Sequence, residues 1–404
     1  MVSLSAVLVT IYVASDGVSA RWHRSRADDA LKVEDFETAR AHQALYILYR
    51  PTDPAGWFAA ARSARMDGDM AQAEIYLSRA AKFGQAREQL DLERLLIDVQ
   101  QYGWRGREAV LFAKVQAADP DSARICEVLG RSYLGDYLLI AALHYAEKWT
   151  ELESRSARAW ELKAQAAERL DQRAIAAEAY ETALDINPYL PVSRAGYGTL
   201  LSARGRLAEA LEQFEWAVRL QPHDKESRLG LARALDHVGR VEDAMLQIEI
   251  LEVQYPTDRA VLGLAGSIAL HAGQLLKAEK MLRAAAAQVS ETQILEDLQH
   301  CLVRLKQPEE AQKIGERLKR AKADFGRLTE LSKVVRNSLD PAPRIEAGRI
   351  MVRNGFFHEG LGWLLDAVKI SPTNREAHAE IAKCYEALNV PEEAALHRRL
   401  AGGN

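Results

Sequence analysis

The sequence predicts an all-α fold in which antiparallel helix pairs stack into a solenoid. Three observations predict it. Small, aromatic and aliphatic residues recur at a constant shift of 34 residues, successive copies close on Pro188, Pro222 and Pro256, and Gly205, Gly239 and Gly273 share one place inside the period. Length points the same way. At 404 residues the chain exceeds a single hydrophobic core, since such cores stop growing at roughly 250–300 residues. Hydrophobic residues make up 48% and charged residues 27%, so the chain buries enough apolar surface to offset the entropy of ordering it.

The clearest copy contains Trp160, Ala164, Ala167, Ala176, Tyr180, Ala183 and Pro188. One period on stand Arg194, Gly198, Leu201, Ala210, Phe214, Ala217 and Pro222, where only the first residue departs in character. The series continues through Arg228 to Pro256 and through Leu262 to Ser290, and reaches back to Cys126, Gly130 and Tyr133 and to Trp57, Ala61 and Ala64. Arg344, Gly348, Leu364 and Pro372 form a late copy, and His378, Ala382 and Tyr385 open another. Weaker copies lie at about 20–53, 90–122 and 292–325. Small residues let a first helix approach its partner closely, and the aromatic on the second helix fills the gap. Gly68, Gly205, Gly239, Gly273, Gly355 and Asn389 stand where a positive φ ends the first helix. Such hairpins bury their apolar stripe only by stacking on neighbours.

Five segments follow: 1–19, 20–122 with divergent repeats, 123–290 with regular repeats, 291–340 with a divergent repeat and an inserted helix over 326–340, and 341–404 with the last repeats and cap. Val2 to Ala14 is nearly continuous in apolar character, then Asp16 and the arginines Arg21, Arg24 and Arg26 follow. The stretch is shorter than the 17–25 residues of a membrane span. Its reading stays open between an N-terminal membrane anchor, a cleaved signal and a first packed helix, and the expected localisation between membrane-anchored and cytoplasmic.

The repeated residues resemble the tetratricopeptide-repeat (TPR) family: a large residue, a small one, an aromatic or aliphatic, then Ala, aromatic, Ala and Pro. The resemblance extends over most of the chain and is to the bacterial type, in which one N-terminal anchor is common. It implies a right-handed superhelix of antiparallel helix pairs whose first helices line a concave groove, with the second, fifth, ninth and twelfth repeat positions facing inward. Carried onto this sequence, those positions give Arg124, Glu127, Arg131 and Leu134, then Arg158, Glu161, Gln165 and Glu168. The next two copies give Val192, Ala195, Thr199 and Ser202, then Glu226, Leu229, Arg233 and Asp236. Arg131 and Arg233 are expected to pair a partner's carboxylates, against the plainer reading that their own acidic neighbours satisfy them. Family members that clamp a chaperone's C-terminal carboxylate carry Lys at the fifth position and Asn at the ninth. Glu127 and Arg131, or Leu229 and Arg233, do not match that pattern.

Charge and motifs narrow the function further. The 53 basic and 57 acidic residues give a formal charge of −4 and are interspersed, which argues against nucleic acid as partner. The basic run Lys313, Arg317, Lys319, Arg320 and Lys322 reads as a solvated helix face, with an anionic partner as the sharper alternative. Cys126, Cys301 and Cys384 fit neither a disulfide framework nor a zinc site. No phosphate loop, dinucleotide fingerprint, metalloprotease helix or nucleophile elbow occurs. His358 and Glu359 are adjacent, so they point to different faces of a helix. The expectation is a non-enzymatic scaffold without cofactor or metal that binds a protein or peptide in its groove. The alternative is a regulatory or docking subunit of an envelope enzyme complex such as a glycosyltransferase or an assembly machine.

Overall fold

The computed structural model describes residues 4–32, 35–117, 119–335 and 338–402, with residues 4–16 and 32 described by their backbone alone. Among these the chain forms 22 α-helices and no strand, in two compact units, Met1–Ser132 and Tyr133–Asn404. In the first unit α1 (Leu4–Lys32) packs on α2 (Phe36–Tyr49) and α3 (Pro54–Met66) on α4 (Met70–Lys82); α5 (Arg87–Tyr102) and a short α6 (Glu108–Gln116) follow. The boundary falls within α7 (Ser122–Gly135). In the second unit α8 (Leu139–Leu152) precedes the pairs α9 (Ala157–Arg169) with α10 (Arg173–Ile186), α11 (Pro191–Ala203) with α12 (Leu207–Leu220), and α13 (Lys225–His237) with α14 (Val241–Gln254). Then come α15 (Arg259–His271) with α16 (Leu275–Gln288), α17 (Thr292–Arg304) with α18 (Pro308–Val335), α19 (Ala342–Arg353) with α20 (Phe357–Ile370), and α21 (Arg375–Ala387) with α22 (Pro391–Leu400).

One seat recurs in these pairs. A small residue on the first helix lies under a large one 16 positions later: Ala61 with Leu77, Ala164 with Tyr180, Gly198 with Phe214, Ala232 with Ile248, Gly266 with Leu282 and Gly348 with Leu364. The fit is close. A Cβ on Gly266 would stand 2.5 Å from Leu282 Cγ, and one on Gly348 equally near Leu364 Cγ. Helices start where Asp53, Ser156, Asp224, Asp258 and Asn374 accept from backbone N–H groups of the first turn. First helices end on a positive φ, as at Gly239 (82°) and Asn389 (59°), and the same place is held by Asp171 (55°), Lys306 (61°) and Tyr137 (57°).

A second regularity lies in the residue that opens six of the copies. Trp57 Nε1 donates to the Pro51 carbonyl (2.8 Å), Trp160 Nε1 to Ser154 (2.9 Å), Arg194 Nε to Pro188 (2.9 Å) and Arg344 Nη1 to Ser338 (2.8 Å). Arg228 Nη2 donates to the Pro222 carbonyl, and His378 Nε2 lies 2.9 Å from that of Pro372. In every case the acceptor is six residues back, in the turn before the helix. In these six copies the position carries an N–H donor on a long or planar side chain, which Trp, Arg and His all supply, while Cys126 and Leu262 hold it without one.

Two expectations meet a different structure. The membrane anchor is overturned: among the described residues no helix is long and apolar enough to cross a membrane. From Leu4 on, the apolar stretch forms the first turns of α1, a helix of 29 residues, whose later turns carry Arg21, Arg24, Arg26, Asp28 and Asp29. That half packs on α2, burying Ala20, Ala27 and Ala30 and setting His23 Nδ1 2.8 Å from His42 Nδ1. Met1–Ser3 lie outside the described residues. Second, residues 326–335 make no separate helix but extend α18 to 28 residues. Leu318, Ala321, Leu328, Leu331 and Val335 keep one apolar face along it, so no local signal breaks it.

The first unit also buries charge. Arg65 and Glu93 are fully buried, with Arg65 Nε 2.5 Å from Glu93 Oε1 and Arg65 Nη1 2.7 Å from Gln100 Oε1. Arg124 Nη1 donates to the other Glu93 oxygen at 3.0 Å. Removing one partner leaves the other charge buried and uncompensated. Glu93→Gln is expected to destabilise the first unit by about 3–5 kcal/mol, while Arg65→Met combined with Glu93→Leu costs less. Urea unfolding of the three proteins checks this. For the second regularity, Arg228→Met is expected to cost about 1–3 kcal/mol, the loss of the charge-assisted hydrogen bonds that Arg228 makes to the Pro222 carbonyl and to Gln247. Arg228→Trp recovers part of it. Hydrogen exchange in α13 and α14, read against α21 and α22, distinguishes the two.

Candidate interaction surface

In the first unit the residues expected to face a partner are engaged within the fold. Arg124 bridges Glu93 and Asp121. Glu127 is buried, and its carboxylate lies 3.5 Å from Arg131 Nε. Sequence reasoning missed Arg62 and Arg65, which hold the ninth and twelfth positions of the copy opened by Trp57 and are reached by the same count two copies earlier. Burial, then the neighbouring Arg124 cation, pushes the Arg62 guanidinium down to about 10, with Glu93 opposing. A triad of arginines, Arg62, Arg65 and Arg124, thus shares the carboxylates of Glu93 and Asp121.

In the second unit several expected residues are likewise consumed. Glu161 is buried and accepts from Ser193 Oγ of the next pair (2.7 Å). Glu168 accepts from the Tyr180 hydroxyl (2.7 Å), and burial raises both groups above their ordinary pKa. The Asp236 carboxylate is nearly buried and faces the His271 ring at 2.8 Å. Arg158 and Gln165 are half-buried. Four residues stay exposed: Val192, Thr199, Glu226 and Arg233. Thr199 Oγ1 bonds its own helix at Ala195 (3.0 Å), and Glu226 lies 3.6 Å from Lys225. Arg233 has no hydrogen bond or ion pair among the described residues. Gln165, Thr199 and Arg233 occupy one position in successive copies and so make a ladder across α9, α11 and α13.

The same unit folds back on itself through α20. Gly362 lies so near Tyr137 that a Cβ there would stand 2.6 Å from the Tyr137 Cβ. Tyr137 holds φ at 57°, a strained value for an aromatic residue. The Arg169 guanidinium covers its ring at 5.0 Å, while Lys369 Nζ sits 4.4 Å from the ring centre of Tyr133. Glu359 pairs with Arg259 at 3.5 Å, and Arg259 also lies over Phe356 at 4.9 Å. Glu359, noted in the sequence only as the neighbour of His358, is part of this closure. A further return contact joins two turns, Ser290 N–H donating to the Asn354 carbonyl at 2.9 Å.

A family model described as Tetratricopeptide repeat matches residues 198–259, the pairs around Phe214 and Ile248. No curated protein sequence matches the chain. Among solved structures, the human IFIT1 dimer with m7Gppp-AAAA is 14% identical, covers 86% of this chain and 89% of its own, and has a TM-score of 0.44. The APC/C hetero-tetramer Cut9-Hcn1 is 11% identical over 90% of this chain and 96% of that one, with a TM-score of 0.43. PilW, a type IV pilus biogenesis factor, is 19% identical over 49% of this chain and 92% of its own, also at 0.43. Residues 198–259 carry the tetratricopeptide signature, and the helix pairs on both sides repeat its architecture in an all-α stack.

Proposed function

We propose that the chain is a non-enzymatic scaffold that binds an extended or helical segment of a partner protein along the first helices α9, α11 and α13. Arg233 carries this reading. It is exposed, the fold does not use its charge, and it stands in line with Thr199 and Gln165 on adjacent helices. A guanidinium so placed offers a fork of donors to a carboxylate, and the small side chain of Thr199 leaves room for a backbone beside it. Glu127, Glu161 and Asp236 take no part, because the fold has already engaged them.

The test is capture in cells. A photo-crosslinking residue at Thr199 is expected to trap a defined set of protein chains, and Arg233→Glu with Gln165→Glu to lower their yield about tenfold, the loss of one charge-assisted contact and more. Thermal stability should shift by less than about 1 kcal/mol equivalent, since exposed charges contribute little to folding. Undiminished capture by the charge-reversed protein overturns the site.

A further inference from the structure

A second surface lies away from the ladder. A cleft of roughly 730 Å³ opens between α18, the turn after α16 and the turn between α19 and α20. Its lining carries four cations, Lys313, Arg317, Arg320 and Arg353, against one carboxylate, Asp324. Arg353 and Asn354 hold that carboxylate at the edge through ion pair and hydrogen bond. Arg317 spends its donors on neutral oxygens: Ser290 Oγ at 2.9 Å and the carbonyls of Ala286 (2.6 Å) and Val289 (3.0 Å), where it caps the end of α16. Lys313 and Arg320 are exposed and, among the described residues, have no ion pair. The cleft exists because α18 runs on past its repeat and the α19–α20 turn returns to Ser290.

Spacing selects the ligand. Lys313, Arg317 and Arg320 follow i, i+4, i+7 and so share one face of α18, spread over about 10 Å at 1.5 Å per residue. A single phosphate cannot span that row, whereas carboxylates on alternate residues of an extended chain recur about every 7 Å. The other lining side chains, Ile314, Ala321 and Ala323, are aliphatic. They suit a peptide's apolar side chains and offer no aromatic platform on which the bases of a single-stranded nucleic acid could stack. We propose that this cleft binds an acidic peptide segment in extended conformation, with Lys313 and Arg320 pairing its carboxylates. This site is independent of the ladder on α9, α11 and α13.

The test uses the full chain and a labelled short peptide of alternating glutamate and valine, followed by fluorescence anisotropy. Lys313→Glu with Arg320→Glu is expected to weaken binding about tenfold or more, while Lys319→Glu with Lys333→Glu, the same charge change elsewhere on α18, changes it less than about twofold. Arg317 is left intact because it holds α16, and circular dichroism verifies that the variants fold. Arg233→Glu should leave the peptide affinity unchanged, which separates this site from the ladder. Equal losses in both charge-reversed proteins, absence of binding at low salt, or tighter binding of an oligouridylate that the cleft variant abolishes would each overturn the proposal.

Discussion

Close approach at one seat governs the structure. Where Gly266 meets Leu282 or Gly348 meets Leu364, no room remains for even a methyl group, so the two helices of a pair are fixed in register by a single small residue. Every other repeat feature follows from holding that register. The turn needs a positive φ because the chain must reverse within a few residues of the seat. The next pair must cover the stripe that the seat leaves exposed, since one hairpin has no other face on which to bury it.

The donor to the turn carbonyl explains a variation that composition alone leaves puzzling. Trp57, Trp160, Arg194, Arg228, Arg344 and His378 differ in size, charge and aromaticity, yet each directs an N–H at the carbonyl six residues earlier. The hydrogen bond to the turn carbonyl is what they share, so the position accepts differences in size and charge as long as the N–H donor is kept. Arg344 shows how far the device stretches: it also donates to Val335, closing the end of the lengthened α18. The irregular insertion is thereby tied to the repeat that follows it.

Charge is divided between folding and surface along lines that repeat position does not predict. Glu127, Glu161 and Arg233 are all inward residues by count, but the first two are buried against Arg131 and Ser193 while the third is exposed. The deciding factor is what the adjacent helix offers at the same height. Ser193 stands one pair on from Glu161 and accepts the role of donor, whereas the nearby Asp236 pairs with His271 and Arg233 makes no ion pair among the described residues. A surface of this kind gains binding residues wherever its neighbours fail to satisfy them.

The sequence by itself determined the helix pairs, their period, the seats and the turns, because each of these is set by contacts within one copy or with the next. Gly198 and Phe214 are 16 residues apart, and their pairing is visible as spacing. Only the tertiary structure decided the contacts of long reach: Tyr137 under Gly362, Arg259 with Glu359, and Ser290 with Asn354. They depend on the accumulated rotation of many pairs, a sum of small angles that no local pattern records. The apolar start is the same lesson at short range. Its side chains suggested a segment apart, but helix continues through Asp16 and Arg21, and packing on α2 settles what the second half of α1 does.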